Sequence, residues 1–351
     1  EAFDLDPSCG ETGRKVVAGL VEGGKLDEAL EVAERMLEAE PLCFEVMPLL
    51  VAVLEGKDHG PRAMAAAQAA QYMGVADDGI VKLASEMRRI GKDGPREALG
   101  EDDLATVRAD ALDHPARKVL EALGRPGSRV LRKGLSDYGV ERGDRIGSDH
   151  AQGGVLALEC GRIGKLLGAG DFDVFLIPSH GAEVVVELHD PPALLFSVLI
   201  TELSEIEQRI MAVHALAQVA FRTSPAGKLA RGRLEELLVA TARIFVPDFG
   251  SGVTGLKHVE ELRAAVDMAL DKKDRKEMKP LVEEFTRGGW VDYDEWLLDM
   301  QKTAARLSFL ATGDLGAVLD SIKKRDPELV GVPLSTPASR REALTRSEVA
   351  V

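Results

Sequence analysis

The sequence predicts a mainly α chain with a small sheet (α+β), and three observations carry the prediction. Apolar residues fill 45% of the 351 positions but aromatics only 4%, with Ala, Leu and Val abundant, a balance that leans towards helix. Apolar positions recur at helical spacing over most of the chain, whereas one stretch, 172–196, breaks into short β-type runs. The length leaves room for two domains of ordinary size, each with its own core. The expected partition is 1–128 for an N-terminal helical segment, 129–326 for an α+β domain and 327–351 for a disordered tail.

Residues 11–125 read as helix, turn, helix. In the clearest unit, 12–41, Val16, Val17 and Leu20 form one apolar stripe, and Ala29, Ala33, Met36 and Leu37 form the facing one. Small residues at Gly24 and Ala29 are expected to let the two helices approach, and Pro41 to end the second. Two looser pairs follow, 44–55 with 62–73 and 79–89 with 102–112, with breaks at 91–95 and 124–127. The 12–41 spacing resembles one unit of a tetratricopeptide repeat, although the aromatic positions of that motif are absent. The resemblance implies a protein-binding helical array, and a generic helical bundle is the alternative. An array needs about three units to bury a continuous core, so the segment also reads as the end of a longer solenoid.

From about 128 the period changes. A helix is expected over 153–167, then strands over 172–177, 183–188 and 193–196, with Ser179-His180-Gly181-Ala182 as a hairpin loop. Ser204 with Glu207 three residues on is a capping box, and Ile206, Ile210, Val213, His214 and Ala217 make the apolar stripe of the helix it opens. Further helices are expected over 229–246, 259–270, 276–285, 293–311 and 315–323, with a loop at 247–252. The tail is rich in Ser, Thr, Pro and charge.

Late in the capped helix stands His214-Ala215-Leu216-Ala217-Gln218. A metal-binding H-E-x-x-H helix places two His one turn apart to hold Zn²⁺, and its Glu activates the bound water. Three strands leading into a capped helix with His214 resemble the entry to the zinc helix of gluzincin metallopeptidases of the CAAX-prenyl-protease and heat-shock-protease-like family. The resemblance covers about 150–323. That family takes a third ligand, a Glu, from a later helix; here Thr303 stands at that position, Ala305 stands where an Asp follows, and Gly313-Asp314 close the frame. The resemblance therefore implies a zincin-like α+β domain whose catalytic positions His214, Ala215, Gln218 and Thr303 have degenerated. Of these only His214 could ligate zinc, and Ala215 removes the general base. The bland reading of His214 is a satisfied core histidine sharing a hydrogen-bond network with Gln218. A replacement zinc site from His180, His189 and His214 is a further alternative.

The function expected is that of a non-catalytic interaction or scaffold protein, a pseudopeptidase domain coupled to helical repeats. Its partners would be other proteins, bound through the repeats and along a β-edge marked by Val185, Ala193 and Leu195. No cofactor and no metal are expected. One alternative is a hydrolase with an atypical metal site or a thiol nucleophile, for which Cys160, His150 and Asp149 are the candidates. Another is a structural subunit of a larger assembly, and self-association is compatible with either.

A net charge of −15 and a pI near 5.1 argue against nucleic acid, whose phosphates need a basic footprint. The best basic tract, Lys272-Lys273-Asp274-Arg275-Lys276, reads as a solvated helix end. Three cysteines, Cys9, Cys43 and Cys160, form no C-x-x-C pair, which suits a reducing cytoplasmic setting. The longest apolar run, 191–200, is too short to span a bilayer. Because the chain opens at Glu1, an upstream segment is left open. Gly147-Ser148 and Gly250-Ser251-Gly252 lack the strand-to-helix context of a phosphate loop, and Trp290 and Trp296 read as core or interface residues.

Overall fold

A computed structural model describes residues 10–92, 97–109, 114–178, 184–229, 231–251, 258–288, 291–326, 329 and 331–347. It is mainly α with one small three-stranded sheet, the class the sequence predicts. Its contacts divide the chain into two compact units, Glu1–Gly94 with Phe309–Val351, and Pro95–Ser308. This differs from the expected partition, because the C-terminal chain returns to the first unit, a long-range event that local composition does not report.

The first unit opens with α1 (Gly10–Glu22) and α2 (Leu26–Ala39), followed by α3 (Met47–Gly56), α4 (Gly60–Tyr72) and α5 (Asp78–Gly91). Short turns fold each helix back on the last. Val17, Ala29 and Ala33 are fully buried between α1 and α2. The close approach is not at Gly24, which occupies a left-handed turn position (φ +69°) with open space around it. It is at Gly13, where a Cβ would stand 2.4 Å from the Met36 sulfur. Ala63, Ala67 and Ala70 are fully buried along α4, and Asp77 caps α5 by accepting the Ile80 N–H at 2.9 Å.

The second unit runs through α6 (Glu101–Val107), α7 (Pro115–Leu131), α8 (Gly154–Leu167), β1 (Asp173–Ile177), β2 (Val184–Glu187), β3 (Ala193–Ser197), α9 (Glu205–Ala220) and α10 (Ser224–Lys228). It ends with α11 (Arg231–Arg243), α12 (Val259–Ala269), α13 (Lys272–Arg287) and most of α14 (Tyr293–Thr312). The partner expected for α5, 102–112, therefore belongs to this unit, and 110–113 lie outside the described residues. Helices α7, α11, α12, α13 and the start of α14 share one apolar core around Trp296, Tyr293 and Phe285. The basic tract is the first turn of α13, capped by Asp271.

The strand order is β1-β3-β2, with β1 parallel and β2 antiparallel to β3. The expected β1–β2 hairpin is thus not formed, and the loop proposed for it, 179–182, lies outside the described residues. All five residues of β3 are buried, so the most apolar strand takes the centre, where both faces are covered.

The last elements return to the first unit as α15 (Leu315–Arg325) and α16 (Pro337–Arg346). The buried Gln68 of α4 holds the return point: its side chain donates to the Gly313 carbonyl at 2.5 Å and accepts the Leu315 N–H at 2.7 Å. Gly91 touches the same turn, where a Cβ would stand 2.1 Å from the Thr312 carbonyl oxygen. The tail expected to be disordered contains α16, capped by Thr336 and held by Arg340, which donates to the Tyr72 carbonyl at 2.8 Å and lies over its ring. Compositional polarity there hides a helix with buried Ala343 and Leu344.

Candidate functional site

Helix α9 begins with the capping box read from the sequence. The Ser204 N–H and hydroxyl both donate to Glu207 Oε2, at 3.1 and 2.8 Å. Burial extends round nearly the whole helix, covering 208–213 and 215–217, so the expected single stripe understates it. A helix buried on nearly all sides belongs in the middle of a packed unit, and α9 packs on α8, β2 and α10.

The positions compared above with a zinc helix are taken up by local packing and hydrogen bonds. Ala215 is fully buried. Gln218 donates from Nε2 to the His214 carbonyl at 3.2 Å, and its Oε1 fills the space above Gly227. Thr303, 1% exposed, accepts the Ala109 N–H at 3.0 Å, and Arg306 one turn on donates to the Val107 carbonyl. The Thr303–Arg306 frame therefore straps the chain leaving α6. One half-buried imidazole, an amide and a hydroxyl engaged with the backbone do not fit a zinc ion, which needs three nitrogen, sulfur or carboxylate ligands. Among the described residues no group of three or more His, Cys, Asp or Glu could hold a metal ion.

The other candidates are likewise tied to local structure. His189 Nε2 lies 3.1 Å from the Lys133 carbonyl, and His180 is outside the described residues. His150 accepts the Gly153 N–H at 3.0 Å at the entry to α8. Cys160 is fully buried, and burial, reinforced by the neighbouring Glu159, pushes its thiol well above the usual range. A nucleophile needs the thiolate, so this thiol is built for packing. In native protein Cys160 is expected to stay unlabelled by iodoacetamide over hours and to react fully in urea, read by mass spectrometry; rapid native labelling would overturn that assignment. Trp296 lies in the core, while Trp290 and Gly252 fall outside the described residues.

The β-edge is narrower than expected. Ala193 and Leu195 lie on the central strand, with β1 on one side and β2 on the other, so they offer no edge. Val185 is on β2, which ends the sheet. The C-terminal end of β2 is fixed by the fully buried Glu187, which accepts from the Tyr138 hydroxyl, the Lys133 N–H at 3.1 Å and Lys228 Nζ at 2.7 Å. Burial and this carboxylate raise the Tyr138 pKa. Towards the other end of β2, Val184 and Val185 are partly exposed and Val186 is buried.

Two features escaped the sequence reading. One is the buried ion pair joining α8 to α9, where Arg209 Nε donates to Glu159 Oε2 at 2.6 Å. The other is an open cleft of about 420 Å³ between α8 and β1, with Arg145, Arg162 and Lys165 at its rim. The signal for it was the exposed Leu158 on α8, seven residues before Lys165 on the same face. No described helix is long and apolar enough to cross a membrane. Comparison with known protein families, curated proteins and solved structures finds no match to this chain.

Proposed function

We propose that the chain is a non-catalytic interaction protein, in which a helical-repeat segment is joined to a zincin-like α+β domain retained as a scaffold. The observation that carries this reading is the engagement of Gln218 and Thr303 in backbone hydrogen bonds at the two positions where zinc ligands would stand. The buried thiol of Cys160 speaks against the nucleophile alternative, and the buried free cysteines Cys43 and Cys160 suit a cytoplasmic setting. On this reading a partner segment adds as a strand to β2 beside Val185, where main-chain hydrogen bonds give affinity.

The test starts from full-length protein dialysed against zinc. Stoichiometric zinc lost in His214→Ala, or casein hydrolysis that depends on His214, would overturn the proposal; the expected result is neither. Proteins that co-purify with the wild type are expected to be lost from a folded Val185→Pro variant, since proline removes a strand N–H and bends β2. Full retention would sink the β2 assignment.

A further inference from the structure

We infer that the cleft between α8 and β1 docks an acidic, leucine-type segment of a partner protein, at a surface separate from the β2 edge. The cleft is open and about 420 Å³, in the range that holds a few side chains rather than a folded domain. Leu158, Phe172 and Val174 supply apolar walls, and Arg145, Arg162 and Lys165 supply charge. None of the residues lining it is acidic, in a chain whose net charge is −15. The lining itself thus presents cations alone, with the carboxylates that pair Arg145 and Arg162 set outside it, which suits complementary recognition of an acidic partner.

The cations are placed to accept a carboxylate. Arg145 is held by Asp173 at 2.9 Å and Arg162 by Glu159 at 2.8 Å, yet their side chains remain 64% and 47% exposed. Each guanidinium carries five N–H donors, so donors remain for a second acceptor, and pinned side chains lose less entropy on binding. Lys165 is exposed and makes no ion pair among the described residues.

The apolar surface decides between a peptide and a small acid. Leu158 and Val155 of α8 are 45% and 46% exposed, an uncommon pairing of large apolar side chains in solvent on one helix face. Gly161, one turn after Leu158, has nothing within 4 Å of where its Cβ would be, which leaves a notch for an incoming side chain. A small carboxylate would reach the cations and leave Leu158 and Val155 wet, whereas a segment carrying both Glu and Leu covers both.

The test measures fluorescence anisotropy of the full chain with a labelled short peptide rich in Glu and Leu, and with its Lys-for-Glu counterpart. Saturable binding of the acidic peptide that weakens with salt is expected, with little binding of the basic one. Lys165→Glu is expected to weaken it by about tenfold or more, equivalent to about 1.4 kcal/mol. Gly161→Leu is expected to abolish it while leaving melting unchanged or raised, because the space is open and Leu favours helix over Gly. No binding, equal binding of the basic peptide, or binding indifferent to both variants would overturn the inference. So would full competition by N-acetylglutamate at equal concentration, which marks a small-acid pocket, or loss confined to Val185→Pro, which assigns the peptide to β2.

Discussion

Replacing Arg209 by Ala is expected to cost about 3–5 kcal/mol of unfolding free energy, because it strands a buried carboxylate. Arg209 is 2% exposed and Glu159 is fully buried, and their closest contact is 2.6 Å. Such a pair gains little over an apolar pair of the same shape, since both charges lost their hydration on folding. Breaking one side is what costs. Glu159 would keep Arg162 at 2.8 Å, but that guanidinium is half in water and screened, so it offsets only part of the loss. The double variant Glu159→Leu/Arg209→Met is expected to recover most of the stability, as neither charge then needs a partner. Urea unfolding checks both: the single variant should lower the midpoint with an unchanged slope, and the double should return near wild type. A single variant within about 1 kcal/mol of wild type would show that Arg162 and water satisfy Glu159.

Most helices of this chain were legible because their signals are local; α7, which runs through the break expected at 124–127 with Pro126 inside it, and α16 in the polar tail were not. Ser204 and Glu207 sit three residues apart, and their side chains close the α9 cap as the pattern requires. The three strands were legible for the same reason, but their order was not. Whether β1 meets β2 or β3 depends on which strand best tolerates burial on both faces, and only the three-way comparison puts Ala193–Ser197 in the centre. This is why Ala193 and Leu195 read as edge residues and are not. The return of 309–347 to the first unit rests on Gln68 bonding a turn 245 residues away, a pairing without local trace. Gly24 misled in a different way. A small residue at a helix end signals either close packing or a left-handed turn, and here it is the turn. The candidate positions were legible only as residue types that do not make a zinc site, Ala215, Gln218 and Thr303. What Gln218 and Thr303 bond instead, a carbonyl of the same helix and a distant amide, needed coordinates.

Replacing Trp296 by Ala is expected to cost about 3–5 kcal/mol, the range for deleting a large aromatic from a core that collapses only in part. Among the described residues Trp296 is the largest fully buried side chain, and it lies in one cluster with Leu120, Leu237, Phe285 and Tyr293. Those neighbours come from four helices, so removing the indole unseats α7, α11, α13 and α14 together. Phe is the informative control. Indole Nε1 is buried with no hydrogen-bond partner among the described residues, so folding already bears the desolvation of that N–H. Trp296→Phe keeps most of the volume and removes the unpaired donor, and is therefore expected to cost less than about 1.5 kcal/mol. Thermal unfolding separates the two: Ala should lower the melting temperature by roughly 6 °C or more and Phe by much less. Equal losses in Ala and Phe would mean that the N–H is satisfied in solution and that hydrogen bonding, not volume, holds Trp296 in place. A near-neutral Ala variant would mean that the four helices close over the gap and are not held by this side chain.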